Sequence, residues 1–453
     1  MPTPSNCATT SARKWPDNYC NIMDITTLYQ TYLRHPQICT DTRKITEGCL
    51  FFCLKGENFD GNAFARQAAE AGAACVVTND TSLSGDSRFF VVDDTLAALQ
   101  ELALYHRQQL SIPVIGITGT NGKTTTKELV STVLQTKYRI TFTQGNLNNH
   151  IGVPLTLLSI PADTEIAIVE TGANHPGEIA DLCRMVLPTY GIITNIGTAH
   201  IEGFGSRENI VKTKKAMYDA VMERGGTLFV NGADETLCAC AGDYDYQILY
   251  GNCDESCCTG RISAMDPYLS VTCAAPDEEG NAPEVTFRTH LTGDYNLPNI
   301  LCAVAVGLTF GISLEDAAAA IRDYVPSNHR SQVVTSGTNT VIADYYNANP
   351  TSMAAAIRNL ANLNAPAKAA ILGDMLELGA VSHEEHLRIY NLCKENGINA
   401  LFVGNCFKEL DINDMNVFSN VDEVNGYLQE HPFRDTMILI KGSRGIHLEK
   451  VIL

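Results

Sequence analysis

The sequence predicts an α/β protein built in three blocks, and three observations carry that expectation. Apolar runs of strand length, EIAIVETG, YGIITNIG and TLFVNG, alternate with helical segments, the pattern of parallel strands joined by helices on both faces of a sheet. At 453 residues the chain exceeds what one hydrophobic core serves, and typical domain sizes suggest roughly two to four domains. Two changes of texture, near Pro113 and near Pro326, set the internal boundaries.

Taken in order, residues 1–22 (MPTPSNCATTSARKWPDNYC and on) lack the apolar stretch of a secretory signal and are expected to be a flexible leader. The first block, 23–112, mixes short strands and helices, as in the helical AFARQAAEAG closed by Gly72 and followed by the strand-like ACVVT. The second block, 113–327, opens with VIGITGTNGKTTT and carries the alternating runs named above, so a mainly parallel sheet is expected. Between about 250 and 292 it turns polar and rich in Cys, Gly and Asp, with short alternating pieces such as EVTFRTH that predict an antiparallel addition. The third block, 328–453, repeats strand and helix as a small dinucleotide-fold-like (Rossmann-like) α/β domain: TVIADYY, TSMAAAIRNLANL, AAILGDM, SHEEHLRIYNLCKENG, ALFVGN and TMILIKG. Ser382 with Glu385 reads as a capping box, and Gly397 as the glycine just past the end of that helix. His383 and His386 are read as part of its solvated face.

Composition narrows the partners. A net charge of −19 opposes non-specific binding to nucleic acid or anionic membrane, and no run of about 18 apolar residues predicts insertion into a bilayer. An anionic substrate would therefore need local cations, which gives individual lysines and arginines more weight. Sixteen cysteines lie scattered without paired C-x-x-C knuckles, which predicts reduced thiols in the cytoplasm rather than disulfides or zinc. A monomer is expected.

GITGTNGKTTT has the parts of a nucleotide-phosphate cradle: an apolar strand, a glycine-rich turn, a lysine and hydroxyls at the start of a helix. Backbone N–H groups of Gly119, Thr120, Asn121 and Gly122 would surround phosphates, with Thr125 beside them; Lys123 would neutralise charge and Thr124 could bind Mg²⁺. Ile117 replaces the first glycine of the strict pattern, and Gly116 and Gly119 flank it. The helix behind should bury Leu129, Val130, Val133 and Leu134. Glu170 and His200 follow two of the apolar strands, at the carboxyl ends where open α/β sheets bind ligands. With Thr124 they would suit Mg²⁺ held between protein and phosphate. In IVKTKKAMYDAV, Lys214 falls on the apolar face with Ile210, Met217 and Val221, while Lys212 and Lys215 point elsewhere. The wheel alone leaves open whether Lys214 snorkels to water or is held desolvated for a purpose.

Several motifs in one order, GITGTNGKTTT, GNLNNHIGVPLTLL, VETGANHPGEIADL, NIGTAHIEGFGS, the Lys214 helix, GDYNLPNI, ADYYNANPTSM, LGDMLELG and IKGSRG, resemble the Mur ligase family of peptidoglycan synthesis from about Ile38 to the C-terminus. The resemblance implies a UDP-binding N-terminal domain, a central P-loop ATPase domain and a C-terminal ligase domain that closes over ATP and the amino substrate. It implies Lys123, His200 and Lys214 as catalytic, with Thr124, Glu170, His200 and Lys214 around two Mg²⁺ ions and Lys214 carbamylated by CO₂. Asn296 and Asn299 would face the adenine, and Arg330 and Asp344 would reach the nucleotide from the third domain. Thr42, Arg43 and Lys44 in TDTRK, Asn149, Tyr346, Asn347 and Asn349 would serve the substrates, with the Asp374 loop a further contact. YNANP at Tyr346 to Pro350 points to the branch that adds D-Ala-D-Ala to UDP-MurNAc-tripeptide, and the DNPR sequence of diaminopimelate-adding relatives is absent. The alternatives are the related ligase that adds the third amino acid and a non-catalytic ATP-regulated binding protein. One departure is Ala216, where many family members carry glutamate.

Overall fold

The computed structural model describes residues 25–56, 59–198, 201–277, 279–413 and 416–453, which fall into two compact units, one ending at His106 and one from Arg107 to Leu453. The first unit holds β1 (Ile38–Cys39), β2 (Leu50–Phe52), β3 (Cys75–Thr78) and β4 (Phe89–Val91), adjacent in that order and all parallel. Every residue of β2 and β3 is buried, as expected of parallel strands covered on both faces. The helix Ala65–Glu70 leads to β3 through Gly72 at φ +103°, the left-handed turn the sequence predicts there.

In the second unit the larger parallel sheet comprises β5 (Val114–Thr118), β6 (Ile140–Phe142), β7 (Ile166–Glu170), β8 (Tyr190–Ile193), β9 (Thr227–Asn231) and β10 (Gln247–Tyr250). Its spatial order is β10-β9-β8-β5-β7-β6. The chain leaves β5 toward one edge and later returns to build the other, so a crevice forms beyond the carboxyl ends of β5, β7 and β8. Leu129, Val130, Val133 and Leu134 are fully buried, packing the helix Lys123–Gln135 on the sheet and on the apolar helix Leu297–Thr309 in one core. The antiparallel addition is present as β11 (Thr259–Met265), β12 (Leu269–Ala274) and β13 (Glu284–Arg288).

A second six-stranded sheet follows, of β14 (Gln332–Ser336), β15 (Asn339–Asp344), β16 (Lys368–Gly373), β17 (Asn399–Val403), β18 (Asn416–Phe418) and β19 (Met437–Lys441). The order is β14-β15-β19-β16-β17-β18, with only the β14–β15 hairpin antiparallel. Separate apolar clusters cover its two faces, one with the helices Pro350–Asn362 and Ser382–Glu395 and one with Val421–Glu430. Two local expectations are corrected here. Ser382 is the first residue of its helix and makes no capping bond; its hydroxyl turns instead to His386 Nδ1 at 3.3 Å. His386 is fully buried rather than solvated, because Nδ1 donates to the Ser382 carbonyl at 2.7 Å and Nε2 accepts the Met375 N–H at 3.0 Å. Gly397 does stand just past that helix, at φ +62°. Among the described residues no helix is long and apolar enough to cross a membrane.

Candidate active site

The turn between β5 and the helix Lys123–Gln135 is clamped from the adjoining β8 side. Thr120 N donates to the Asn195 carbonyl at 2.9 Å, Asn121 N to Asn195 Oδ1 at 3.0 Å, and the Asn121 carbonyl accepts from Thr194 Oγ1 at 2.6 Å. Gly119 has φ +146°, and a Cβ there would run into the Thr194 hydroxyl. Gly122, at φ +79°, leaves 2.8 Å between an imagined Cβ and Asn299 Oδ1. Both positions need glycine for conformation and for space. Lys123 folds back along the loop, its Nζ donating to the Gly119 and Thr120 carbonyls at 2.9 and 3.0 Å. Burial pushes its pKa down to about 8, with Glu170 pulling the other way and Arg330 adding to the fall.

At the next residue, Thr124 Oγ1 donates to Glu170 at 3.0 and 3.2 Å, and Thr125 stands half-buried beside it. Glu170 closes β7 fully buried; Asn148 Nδ2 donates to its Oε1 at 2.8 Å and its own N–H goes to Thr143 Oγ1 at 3.0 Å. Thr143 is in turn held by Lys127, whose fully buried Nζ donates to the Thr143 carbonyl at 2.6 Å and pairs with Glu128 at 3.0 Å. Asn148, Thr143 and Lys127 were not legible as site residues from the sequence. The available signals were the Asn148-Asn149 doublet and the lysine four positions after Lys123. A buried carboxylate oxygen beside a hydroxyl is an all-oxygen donor set of the kind a hard divalent cation takes, so Thr124 and Glu170 fit Mg²⁺.

Lys214 lies in the middle of the helix Arg207–Met222 and is only 2% exposed. It lines a small pocket with Gly119, Thr120, Lys123, Ala173, Phe204 and Ile210, so the apolar stripe of the wheel faces the phosphate loop. Its Nζ sits 5.7 Å from the centre of the Phe204 ring. Burial first, and the Lys123 ammonium second, push its pKa down to about 7 against the pull of Glu178. Lys212 is exposed and Lys215 pairs with Asp219, which separates all three lysines as the wheel predicts. Position 216 lies 200° round the helix from 214, so a glutamate there would not touch Lys214. His200 lies outside the described residues.

From the second six-stranded sheet, Asp344 ends β15 and accepts from Lys441 Nζ at 2.6 Å and from Ser331 N at 3.2 Å. Lys441, at the facing end of β19 and buried, also donates to the Asn347 carbonyl at 3.2 Å; this partner of Asp344 went unnoticed in the sequence. The Arg330 guanidinium stacks on Tyr346 at 4.0 Å from the ring centre, and Arg444 lies 5.7 Å from the same ring. Asn347 is exposed, its Oδ1 taking the Ala348 N–H at 2.9 Å. Asn349 caps the helix Pro350–Asn362 in a box with Ser352, and its Nδ2 reaches across to Asn121 Oδ1 at 2.8 Å. Asn296 and Asn299 are buried behind the loop and hydrogen-bond to each other at 3.0 Å.

In the Asp374 loop the Asp374 side chain is buried, its two oxygens taking the N–H groups of Cys406 and Phe407 at 2.9 and 3.1 Å. Asp374, His386 and Cys406 bring ligand atoms within 4.8 Å of one another. Both His386 nitrogens are already engaged, so the group reads as a packed turn and not as a metal site. Asn149 is exposed, and its Oδ1 holds the Ile151 and Gly152 N–H groups at 3.1 and 2.9 Å. In the first unit Thr42–Lys44 form one short 3₁₀ turn capped by Asp41, with Arg43 exposed and paired to Asp41 at 2.7 Å.

Comparison with known proteins bears on this geometry. Family models for the "Mur ligase family, catalytic domain", the "Mur ligase middle domain" and the "Mur ligase, glutamate ligase domain" match residues 36–114, 117–307 and 329–444. The UDP-N-acetylmuramoyl-tripeptide–D-alanyl-D-alanine ligase of Bacillus subtilis (strain 168) is 37% identical over 92% of this chain and 92% of its own length. Its counterpart in Escherichia coli (strain K12) is 33% identical over 80% of this chain and 79% of its own. A crystal structure of MurF from Acinetobacter baumannii superposes with a TM-score of 0.82 at 29% identity, covering 94% of this chain and 96% of that one.

Proposed function

The chain belongs to the Mur ligase family, and from that premise we propose that it joins D-Ala-D-Ala to UDP-MurNAc-tripeptide, producing ADP and phosphate, in peptidoglycan synthesis. The observation that carries the reading is one pocket in which the glycine turn, Lys123 and the buried Lys214 meet, beside the Thr124–Glu170 pair. The relatives named for this reaction are similar along nearly the whole chain.

An amide does not form from a carboxylate and an amine in water unless the carboxylate is activated. Here a tripeptide carboxylate oxygen attacks the γ-phosphorus of ATP and ADP leaves. The amine of D-Ala-D-Ala then attacks the acyl phosphate carbon, loses a proton, and phosphate leaves. Such a transfer asks the protein for positioning and neutralisation rather than covalent participation. The Lys123 ammonium and the N–H groups of Gly119 and Gly122 hold the phosphates, those of Thr120 and Asn121 being spent on Asn195, and Arg330 adds positive charge from just before β14. Thr124 and Glu170 would hold one Mg²⁺, and His200 with Lys214 a second. When bound, Mg²⁺ supplies charge that lets two anions approach.

Lys214 serves that set as a carbamate: its neutral amine adds to CO₂, a C–N bond forms, and the released proton goes to solvent. A pKa near 7 leaves a large neutral fraction for this step. Asn296 and Asn299 support the adenine side of the pocket, while Asp344, Tyr346, Asn347 and Asn349 border the amino substrate. Thr42, Arg43 and Lys44, and Asn149, serve the UDP-linked substrate. The matched ranges support domain divisions at about 112 and 327; the expectation for residues 1–22 lies outside the described residues. The same reading makes the enzyme a cytoplasmic monomer.

The test is a two-substrate assay. Phosphate release from ATP that requires both UDP-MurNAc-tripeptide and D-Ala-D-Ala is the expected result. Release indifferent to either one would leave a nucleotide-binding protein or another ligase in its place.

A further inference from the structure

The helix Pro350–Asn362 is tied to the phosphate loop directly at its start and, farther along, through a chain of intervening side chains. At its start, Asn349 donates to Asn121 Oδ1 at 2.8 Å. Ten positions later, about 15 Å along a helix axis, the buried Asn359 donates from Nδ2 to Thr292 Oγ1 at 3.0 Å. From Thr292 the contacts run on without a break. Asn296 Nδ2 donates to the Thr292 carbonyl at 2.8 Å, Asn299 Nδ2 to Asn296 Oδ1 at 3.0 Å, and Thr126 Oγ1 to Asn299 Oδ1 at 3.1 Å. Asn299 is the side chain against which Gly122 packs. Thr126, Thr292, Asn296, Asn299 and Asn359 are all buried.

A buried row of amides and hydroxyls is costly unless its members satisfy one another, and when they do it specifies a single arrangement. Asn359 does not even break even by that measure, since its Oδ1 meets no donor among the described residues. An apolar residue of the same size would avoid that cost. An amide kept where it is only half-satisfied points to the one contact it makes. We propose that Asn359 is a positioning residue for ATP: through Thr292, Asn296 and Asn299 it sets the place of Gly122, and so ties the phosphate loop to the helix that follows β15. The inference rests on the reading of the loop as an ATP site.

The test pairs affinity for a non-hydrolysable ATP analogue with Mg²⁺, measured by calorimetry on the full chain, with urea unfolding of the same variants. Asn359→Leu removes one unsatisfied oxygen and the donor to Thr292 Oγ1 together, so its unfolding midpoint should change little while analogue binding weakens about 5-fold, the equivalent of one net hydrogen bond near 1 kcal/mol. A purely structural residue would move stability and leave affinity alone. Should Asn359→Leu not fold, Thr292→Val is expected to weaken binding and Thr292→Ser, which keeps the hydroxyl, to restore it. The double variant Asn359→Leu/Thr292→Val should be no weaker than either single one, because both cut the same link. Unchanged affinity in a folded Asn359→Leu, equal behaviour of Thr292→Val and Thr292→Ser, or additive losses would each overturn the relay. If the unmodified chain itself fails to bind the analogue, the nucleotide reading falls first and this one with it.

Discussion

Lys214 shows what one residue's surroundings decide. Its ordinary value of 10.5 falls to about 7 on burial beside Lys123, which corresponds to about 5 kcal/mol against the charged form before any relaxation. The folded value lies below the unfolded one, so the unfolded chain binds the extra proton between roughly pH 7 and 10.5. Stability should therefore rise with pH across that window, and the full cost should remain below pH 7. In CO₂-free buffer Lys214→Met is expected to match or exceed the wild type in urea unfolding at pH 6, with the gap narrowing toward pH 10. A gap that widens with pH would mean the amine is not held desolvated. Turnover should respond in the opposite sense. Lys214→Ala should lose roughly 100-fold or more, since a metal ligand supplies several kcal/mol, and bicarbonate or a short carboxylate filling the vacated space should restore part of it. Kinetics with and without acetate would decide this, and full activity of Lys214→Ala would end the carbamate reading.

At the scale of the element, the phosphate turn is specified by space as much as by conformation. Gly119 and Gly397 both have positive φ, +146° and +62°, so an alanine at either is strained by about 1 kcal/mol. Only Gly119 also faces a neighbour, Thr194, whereas nothing lies within 4 Å of Gly397. Gly397→Ala should cost about 1 kcal/mol in urea unfolding with ATP affinity intact, and Gly119→Ala should abolish binding measured by calorimetry. Comparable affinities in the two variants would show that the turn tolerates a side chain. Strands and helices of the large sheet were legible because unbroken apolar runs and an amphipathic stripe leave few other solutions, as Leu129 to Leu134 illustrate. The helix Ser382–Glu395 was legible in extent but not at its start. Ser-x-x-Glu reads as a capping box from spacing alone, and tertiary packing of His386 against Phe407, 4.6 Å between ring centres, drew Ser382 into the helix instead.

Across the second unit, two sheets meet at one loop: Asn349 touches Asn121 from one side and the Asn359 row reaches Gly122 from the other. Binding of an ATP analogue should therefore slow amide exchange in the helix Pro350–Asn362 as well as in the Lys123–Gln135 helix, measured by hydrogen–deuterium exchange. Protection confined to the loop and its own helix would show that the two sheets respond separately. The sequence by itself determined the three-block α/β order, the phosphate turn, Glu170 at a strand end and the phase that singles out Lys214, because periodicity and strand-end position are properties of the local chain. Tertiary structure alone decided that Lys214 faces Lys123, that Asn148 and Lys127 support Glu170, that Lys441 answers Asp344, and that Asn359 stands behind the glycine turn. Those pairings join residues far apart in the chain, as do Asn121 and Asn349, 228 positions apart. Local periodicity says which way a side chain points on its own element, and only the packing of one element on another says what it meets there.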